Sequence, residues 1–464
     1  MRLGLGKSHY DRDEFAEIIL QNWIVEPSDS DGEQFSLLSR KGLVEFANYG
    51  SDGAPFDSGV VDGIYAPRRV DEAQLGAQLG GLFYVVGGEL VLPSVGSLGA
   101  VTGTGPVSFA SNSNELLVAR GGSLHRYKPF TGFSTVTFPD NQEVIAVAYL
   151  RGRFLAVPKG TEKIYFSAIN DATSWGALDF FSAEQTPDGV RDIRVVGETL
   201  AVLGSSTIEN FATTASASAP YQRIELGGEG MGVIATGACA VVHASQDEDL
   251  AFVGMDRNVH FKRQHISPAW LSAKIDASAR LFAFDDDGHH YLVLTLDSGT
   301  FVYNMTSGAW VEYTSYGKAH WRPSCWARFR GVGYFGDSFE PVVWEHTGNA
   351  DGDDPISRVA TAICPPLPAL DNLVAEMSVG ATADLTEEPL VEMRISRNQG
   401  RTYGDWRRAS LGKTGEYGTR AIIRRWGSVA PPGAVVQLRF ADTADFRPRL
   451  SSIRANEFVG GRRA

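Results

Sequence analysis

Leu82-Phe-Tyr-Val-Val-Gly-Gly-Glu-Leu-Val-Leu92 decides how this chain is read: two short apolar runs flank a Gly-Gly pair. Runs rich in Val, Leu, Phe and Tyr suit a pleated, half-buried surface. The glycine pair supplies the positive φ that a tight hairpin turn requires. The pattern returns at Glu115-Leu-Leu-Val-Ala-Arg-Gly-Gly-Ser-Leu-His-Arg-Tyr127, at Arg153-Phe-Leu-Ala-Val-Pro-Lys-Gly-Thr-Glu-Lys-Ile-Tyr-Phe166 and at Thr199-Leu-Ala-Val-Leu-Gly-Ser-Ser-Thr-Ile-Glu-Asn-Phe211. Further copies start at Asp249 and His290, and a weaker one runs from Val332 to Trp344. The starts lie about 33–50 residues apart, the spacing range of propeller blades. One four-stranded blade cannot cover both of its faces, whereas radial stacking covers them and leaves only short edges. The expected fold is all-β: a six- or seven-bladed β-propeller with a C-terminal antiparallel β-sheet or sandwich segment.

Composition agrees with that reading. Of 464 residues, 43% are hydrophobic and 21% charged, as in soluble globular proteins, and 51 glycines are scattered through turn-like positions. No window approaches the eighteen or so apolar residues of a membrane span, and the N-terminus is charged where a secretory signal would be apolar. Neither a membrane segment nor a leader is therefore expected. Cys239, Cys325 and Cys364 are odd in number and far apart, which reads as buried small hydrophobes and not as a disulfide framework or zinc site. Helical spacing is sparse, with Asp13 to Trp23 and Pro268 to Arg280 as the candidates. The expected division is a propeller over 1–345 with an extension at 1–25, a linker at 346–372 rich in Gly, Asp and Pro, and a basic β domain over 373–464.

Charge is unevenly spread along the chain. The net charge is −13, yet residues 390–464 hold fifteen Lys or Arg against six Asp or Glu. An acidic body with a basic C-terminal segment suggests two surfaces with different partners. The candidates on that segment are Arg407, Arg408, Arg420, Arg424, Arg425 and Trp426. Arginine grips oxyanions as a fork and Trp can stack, so phosphate contact is one reading. Docking on an acidic neighbouring protein is the preferred one, given the acidic remainder of the chain.

Other motifs carry less chemistry. Gly4-Leu-Gly-Lys7 lacks phosphate-loop spacing, and Gly204-Ser-Ser-Thr207 lies in a hairpin turn and is no nucleophile elbow. Asp285-Asp-Asp-Gly-His-His290 has metal-ligand residue types but reads first as a solvated β-turn. Asp351-Gly-Asp-Asp354 opens like a calcium loop without its closing glutamate. Neither a catalytic residue, a metal site nor a cofactor is assigned. Ser396-Arg-Asn-Gln-Gly-Arg-Thr-Tyr403 resembles an Asp-box turn of sialidase-like propellers, with Asn398 in the Asp position and Tyr403 in the Trp position. Asn398, Gly400, Thr402 and Tyr403 are expected to act structurally, capping the turn and packing beneath it.

Three further segments carry a resemblance. Tyr149-Leu-Arg-Gly-Arg-Phe-Leu-Ala-Val-Pro-Lys-Gly-Thr-Glu-Lys-Ile-Tyr-Phe-Ser-Ala-Ile169, Gln185-Thr-Pro-Asp-Gly-Val190 and Leu203-Gly-Ser-Ser-Thr-Ile-Glu-Asn-Phe-Ala212 resemble, in order and spacing, the packaged-DNA stabilisation proteins of short-tailed Salmonella-type phages. The stretches Ser396 to Gly404, Thr419 to Gly427 and Gln437 to Phe440 follow the closing pattern of that family, while Lys41 stands where it usually has Pro. The resemblance implies a structural tail hub or nozzle in the virion, made in the bacterial cytoplasm and not an enzyme. Six copies would form a ring below the portal-attached adaptor ring. That ring would close the channel after packaging, pass double-stranded DNA without sequence specificity, and present sites for tailspikes or fibres and for the tail needle or tip. The alternative from the residues alone is a glycan-binding or glycan-hydrolysing propeller, and a third is a propeller scaffold of non-viral origin.

Overall fold

The computed structural model describes residues 1–6, 18–27, 35–47, 58–67, 81–183, 188–216, 219–224, 230–244, 247–378, 388–441 and 446–457. The chain divides into two compact units. The propeller unit is Glu45–Asp297 with Arg322–Glu345, and the terminal unit is Met1–Val44, Ser298–Trp321 and His346–Ala464.

In the propeller unit the hairpins legible in sequence are the middle pairs of four-stranded antiparallel sheets. Phe83–Val86 with Glu89–Leu92 is the centre of the sheet over 61–100, and the pattern repeats in the sheets over 108–135, 144–182, 190–223 and 239–265. Gly87 and Gly88 turn the first hairpin with φ of 57° and 83°, values that side chains with a Cβ rarely adopt. Asp287 and Gly288 do the same between Arg280–Asp286 and His289–Leu296, so the Asp/His run forms a hairpin turn. Pro323–Phe329, Val332–Asp337 and Val343–His346 form a further sheet, whose fourth strand, Leu43–Ala47, reaches into this unit from Glu45 on.

The first strand of the middle pair is typically buried on both faces; all four residues of Phe83–Val86 and of Leu116–Ala119 are buried. Two-sided burial turns the usual alternation of a strand into an unbroken apolar run. Consecutive sheets share apolar layers: Leu90, Leu116 and Val118 join the first two, Leu117, Phe154 and Tyr165 the next, and Leu155, Ile164 and Leu200 the next. Val61, Tyr84, Val343 and Tyr334 join the last sheet to the first. Phe284 packs on Phe335 at 5.3 Å, and Tyr65 stacks on Phe109 at 5.3 Å. Each fully buried Leu, Val or Phe contributes about 1.5–3 kcal/mol, so the closed succession of sheets is held by many equivalent interfaces. This is a β-propeller.

The terminal unit is built from segments distant in sequence. One sheet runs in the order Gly299–Asn304, Ala309–Tyr313, Leu20–Gln21, Arg358–Cys364, Ala434–Phe440, Leu390–Ser396, Arg407–Ser410, with Gly4–Leu5 also on Arg358–Cys364. A second runs Trp23–Pro27, Phe35–Ser39, Arg449–Ala455, Leu367–Met377, Ala421–Val429. Arg40, at 1% exposure, staples three of the segments. It donates to both oxygens of Asp351 at 2.6 and 2.8 Å, to Asn22 Oδ1 at 2.9 Å and to the Thr314 carbonyl at 3.0 Å.

Three sequence expectations are corrected here. The stretch 346–372 is no linker: Gly348 and Gly352 turn it, but Arg358–Cys364 lies between two partner strands and Leu367–Met377 between two others. The propeller does end at Glu345, but it is not the continuous span 1–345, since 1–44 and 298–321 belong with the C-terminal segment. The helix expected over Asp13 to Trp23 falls partly outside the described residues; its described part is extended, with Leu20 opposite Ala360 and Gln21 opposite Glu312. Available pairing partners override an amphipathic spacing. Between Pro268 and Arg280 only Ala269–Ser272 is helical, and Arg280 begins a strand.

Candidate functional site

The site grows from the turn after Leu390–Ser396. Ser396 Oγ accepts from the Gly400 amide at 2.8 Å, and Asn398 Oδ1 accepts from the Thr402 amide at 2.9 Å. Asn398 Nδ2 donates to Thr402 Oγ1 at 2.7 Å, and Gly400 carries φ of 87°, so side chains complete the turn that the backbone leaves open. Tyr403 lies under Arg394, whose Cζ is 4.3 Å from its ring centre.

Arg394 begins a ladder that sequence reading missed. Its Cζ is 4.2 Å from the Trp406 ring centre, and Arg439 covers the same ring at 4.3 Å. Arg439 and Arg408 both donate to Glu392, at 2.7 and 2.9 Å. Burial pushes the Glu392 carboxyl up, but the two guanidiniums outweigh it and hold the group below its ordinary value. Arg408 is thus spoken for. The signal was available: Glu392 and Arg394 alternate along one strand and face Arg439 and Gln437 on the next.

Arg407, Arg424 and Arg425 converge by a different route. Opposite Asn372 sits Arg424 and opposite Leu370 sits Gly427, so Asp371 alone faces both Arg425 and Trp426. That extra residue is a β-bulge. Arg425 has φ of 66°, the one non-glycine positive φ inside a strand among the described residues. The bulge breaks side-chain alternation, and Arg424 and Arg425 are both exposed. Arg407 donates to the carbonyls of Arg424 and Arg425 at 3.2 and 2.9 Å, and Arg397 donates to those of Trp426 and Ser428. Arg420 is exposed just before the strand. None of Arg397, Arg407, Arg420, Arg424 and Arg425 meets a carboxylate among the described residues.

Trp426 is corrected. It is 4% exposed, its indole N–H donates to the Ile423 carbonyl at 2.9 Å, and Arg407 lies over its ring at 4.5 Å. A ring so enclosed supports the bulge and offers no face for stacking on a base.

The charge split is redrawn by the fold. The propeller unit holds 20 Lys or Arg against 32 Asp or Glu, and the terminal unit 22 against 23. Part of the C-terminal basic charge is answered inside its own unit: Arg408 and Arg439 share Glu392, Arg449 pairs with Glu26, and Arg454 with Glu376 at 2.9 Å. The group at the bulge has no such answer among the described residues.

The remaining candidates are otherwise engaged. Asp351, the opening of the calcium-like loop, is the buried partner of Arg40, and Asp285 Oδ1 accepts from His290 Nδ1 at 2.5 Å. No group of three metal-ligating side chains occurs among the described residues. Burial pushes the Cys325 thiol up to about 12, which suits a filler of packed space. A cavity of about 430 Å³ in the propeller unit is lined by Thr104, Pro106, Lys159, Asp188, Arg191 and Thr236 among others. Its one described carboxylate, Asp188, accepts from the amides of Ser206 and Thr207 at 2.5 and 2.9 Å.

Comparison with known proteins follows the same lines. Distant likenesses among solved structures include the designed protein Ika8, at 12% identity over 74% of this chain and 100% of that one, TM-score 0.39. BamB of Moraxella catarrhalis matches at 10% identity over 67% and 97%, TM-score 0.34, and an exo-β-1,3-galactanase of Phanerochaete chrysosporium at 8% over 77% and 97%, TM-score 0.32. None of these informs function. No curated protein matches the chain by sequence. No helix among the described residues is long and apolar enough to cross a membrane. The family model described as bacteriophage P22 Gp10, beta-propeller, matches residues 2–345, which take in the whole propeller unit. The chain belongs to this phage stabilisation family, and is a structural protein of the virion in the packaged-DNA stabilisation role.

Proposed function

We propose that this chain is the repeating subunit of a hub or nozzle ring in the tail of a short-tailed phage. The ring, of six copies, sits below the portal-attached adaptor ring, closes the channel after packaging and conducts DNA at ejection. It anchors tailspikes or fibres and meets the tail needle or tip. The family match over 2–345 carries this reading. Two physical features support it. A propeller closed by face-to-face sheets gives a stiff body with short, protected edges, suited to symmetric assembly. The acidic balance of the propeller unit, 20 cations against 32 anions, suits a channel wall along which DNA slides, because basic contacts would retain phosphate.

The test is a phage with an early stop codon in this gene, grown with and without the full-length protein supplied in trans. Without it, heads should fill and then lose their DNA, and tails should be missing. Purified complemented virions should contain six copies by quantitative mass spectrometry. Stable, DNA-filled particles without the protein would reject the role, and any other copy number would reject the ring as described.

A further inference from the structure

We infer that the bulge at Arg424–Arg425 is a docking site for a carboxylate-rich segment of another virion protein. The inference rests on the tail role proposed above and names the chemistry of one partner.

Four guanidiniums, those of Arg397, Arg407, Arg424 and Arg425, gather about the strand segment 424–428 with no carboxylate among the described residues. Asp371, the acidic residue facing the bulge, makes no ion pair with them; its amide is bonded to Asn456 Oδ1. Elsewhere in this unit Arg408, Arg439, Arg449 and Arg454 are matched to carboxylates, at Glu392, Glu26 and Glu376. A charge placed on an edge strand to prevent sheet-to-sheet aggregation needs no special backbone. Here the backbone is special: an arginine sits at φ 66°, where glycine would be unstrained, and two further arginines hold the carbonyls around it. The bulge leaves two consecutive arginines exposed, a pair of guanidiniums fitted to bidentate pairing with carboxylates.

Two observations favour an acidic protein segment over nucleic acid. Trp426, the ring that would stack on a base, is buried and its N–H is spent. The chain carries −13 overall, so a polyanion the length of DNA is repelled by most of the molecule, while a segment with two or three carboxylates meets only the local field.

The experiment uses the full chain. Arg425→Gly relieves the backbone and removes one guanidinium; Arg424→Glu with Arg425→Glu reverses the charge. Both variants should fold, and Arg425→Gly should melt at or above the wild-type temperature. A deca-glutamate peptide and a 20-base-pair duplex are the probes, titrated at low and moderate salt. Peptide binding should fall at least tenfold in both variants and weaken with salt, and complemented phage should make filled heads without complete tails. Suppressors of the double reversal should map to an acidic residue changed to Lys or Arg in another virion protein. Unchanged peptide binding and normal tails would refute the docking site while leaving the tail role intact. Duplex bound more tightly than peptide, and lost in the variants, would overturn the partner assigned here in favour of DNA. Suppressors in this chain would overturn it in favour of a second copy. Failure of the wild type itself to complement would strike at the tail role and not at the bulge.

Discussion

The two units solve the same problem, covering β-sheets, in opposite ways. In the propeller unit, apart from the sheet that takes Leu43–Ala47 as its fourth strand, the sheets are made of strands that follow one another in the chain, and stability is spread over repeated apolar layers. In the terminal unit neighbouring strands come from opposite ends of the sequence, and buried polar groups such as Arg40 tie them together across 311 residues. The contrast teaches that a local architecture tolerates the loss of any one contact, while a stapled one concentrates its dependence on a few.

Removing the staple should have the largest effect. Asp351→Ala leaves the Arg40 guanidinium buried without its carboxylate, at a cost of about 3–5 kcal/mol. Denaturant titration should show that loss, and amide exchange should rise around Asn22 and Thr314 while the strands of 144–213 keep their protection. A cost below about 1 kcal/mol would mean that the terminal unit is held by its sheets and not by the staple. Next comes a hole in a propeller layer. Leu155→Ala, at a fully buried position, should cost about 2–4 kcal/mol, with the exchange changes confined to the sheets over 144–182 and 190–223. Spread of the damage to the sheet over 61–100 would erase the distinction drawn here.

The smallest effect should come at Glu392, a buried carboxylate bound by two partly exposed arginines, Arg408 and Arg439. Its folded pKa lies below the ordinary glutamate value. The stabilisation from ionisation is therefore present above the unfolded value and is lost as pH falls through the folded one. Glu392→Gln should cost about 1–2 kcal/mol at pH 7, and the gap between variant and wild type should narrow as acid protonates the wild-type carboxylate. A gap that does not narrow on acidification would show that packing, and not the charge pair, makes the contribution.

Legibility followed the same division. Hairpins such as Leu82–Leu92 announce themselves because both faces of their strands are buried, so apolar residues run together between glycines. The outer strands escaped notice because they are short or exposed, as Gln264–His265 is. Leu20–Gln21 and Arg358–Cys364 escaped it for another reason: their partners lie hundreds of residues away, and no local pattern specifies them. At the candidate site the arginines were legible as residues and Asn398 as a turn former, but Trp426 was misjudged. Whether an aromatic ring is a binding face or a buried prop depends on what lies over it, here Arg407.

By itself, then, the sequence determined the all-β class, the hairpin repeat and an excess of arginine after residue 390. Those are properties of local spacing and of composition, which the unfolded chain already carries. Only the tertiary structure decided that the termini share one unit, that Asp351 serves Arg40, and that Arg408, Arg439, Arg449 and Arg454 are already matched. It alone set Arg424 and Arg425 side by side at a bulge with no partner charge among the described residues. Ion pairing and burial are settled by which distant segments meet, and that is fixed when the sheets close and not before.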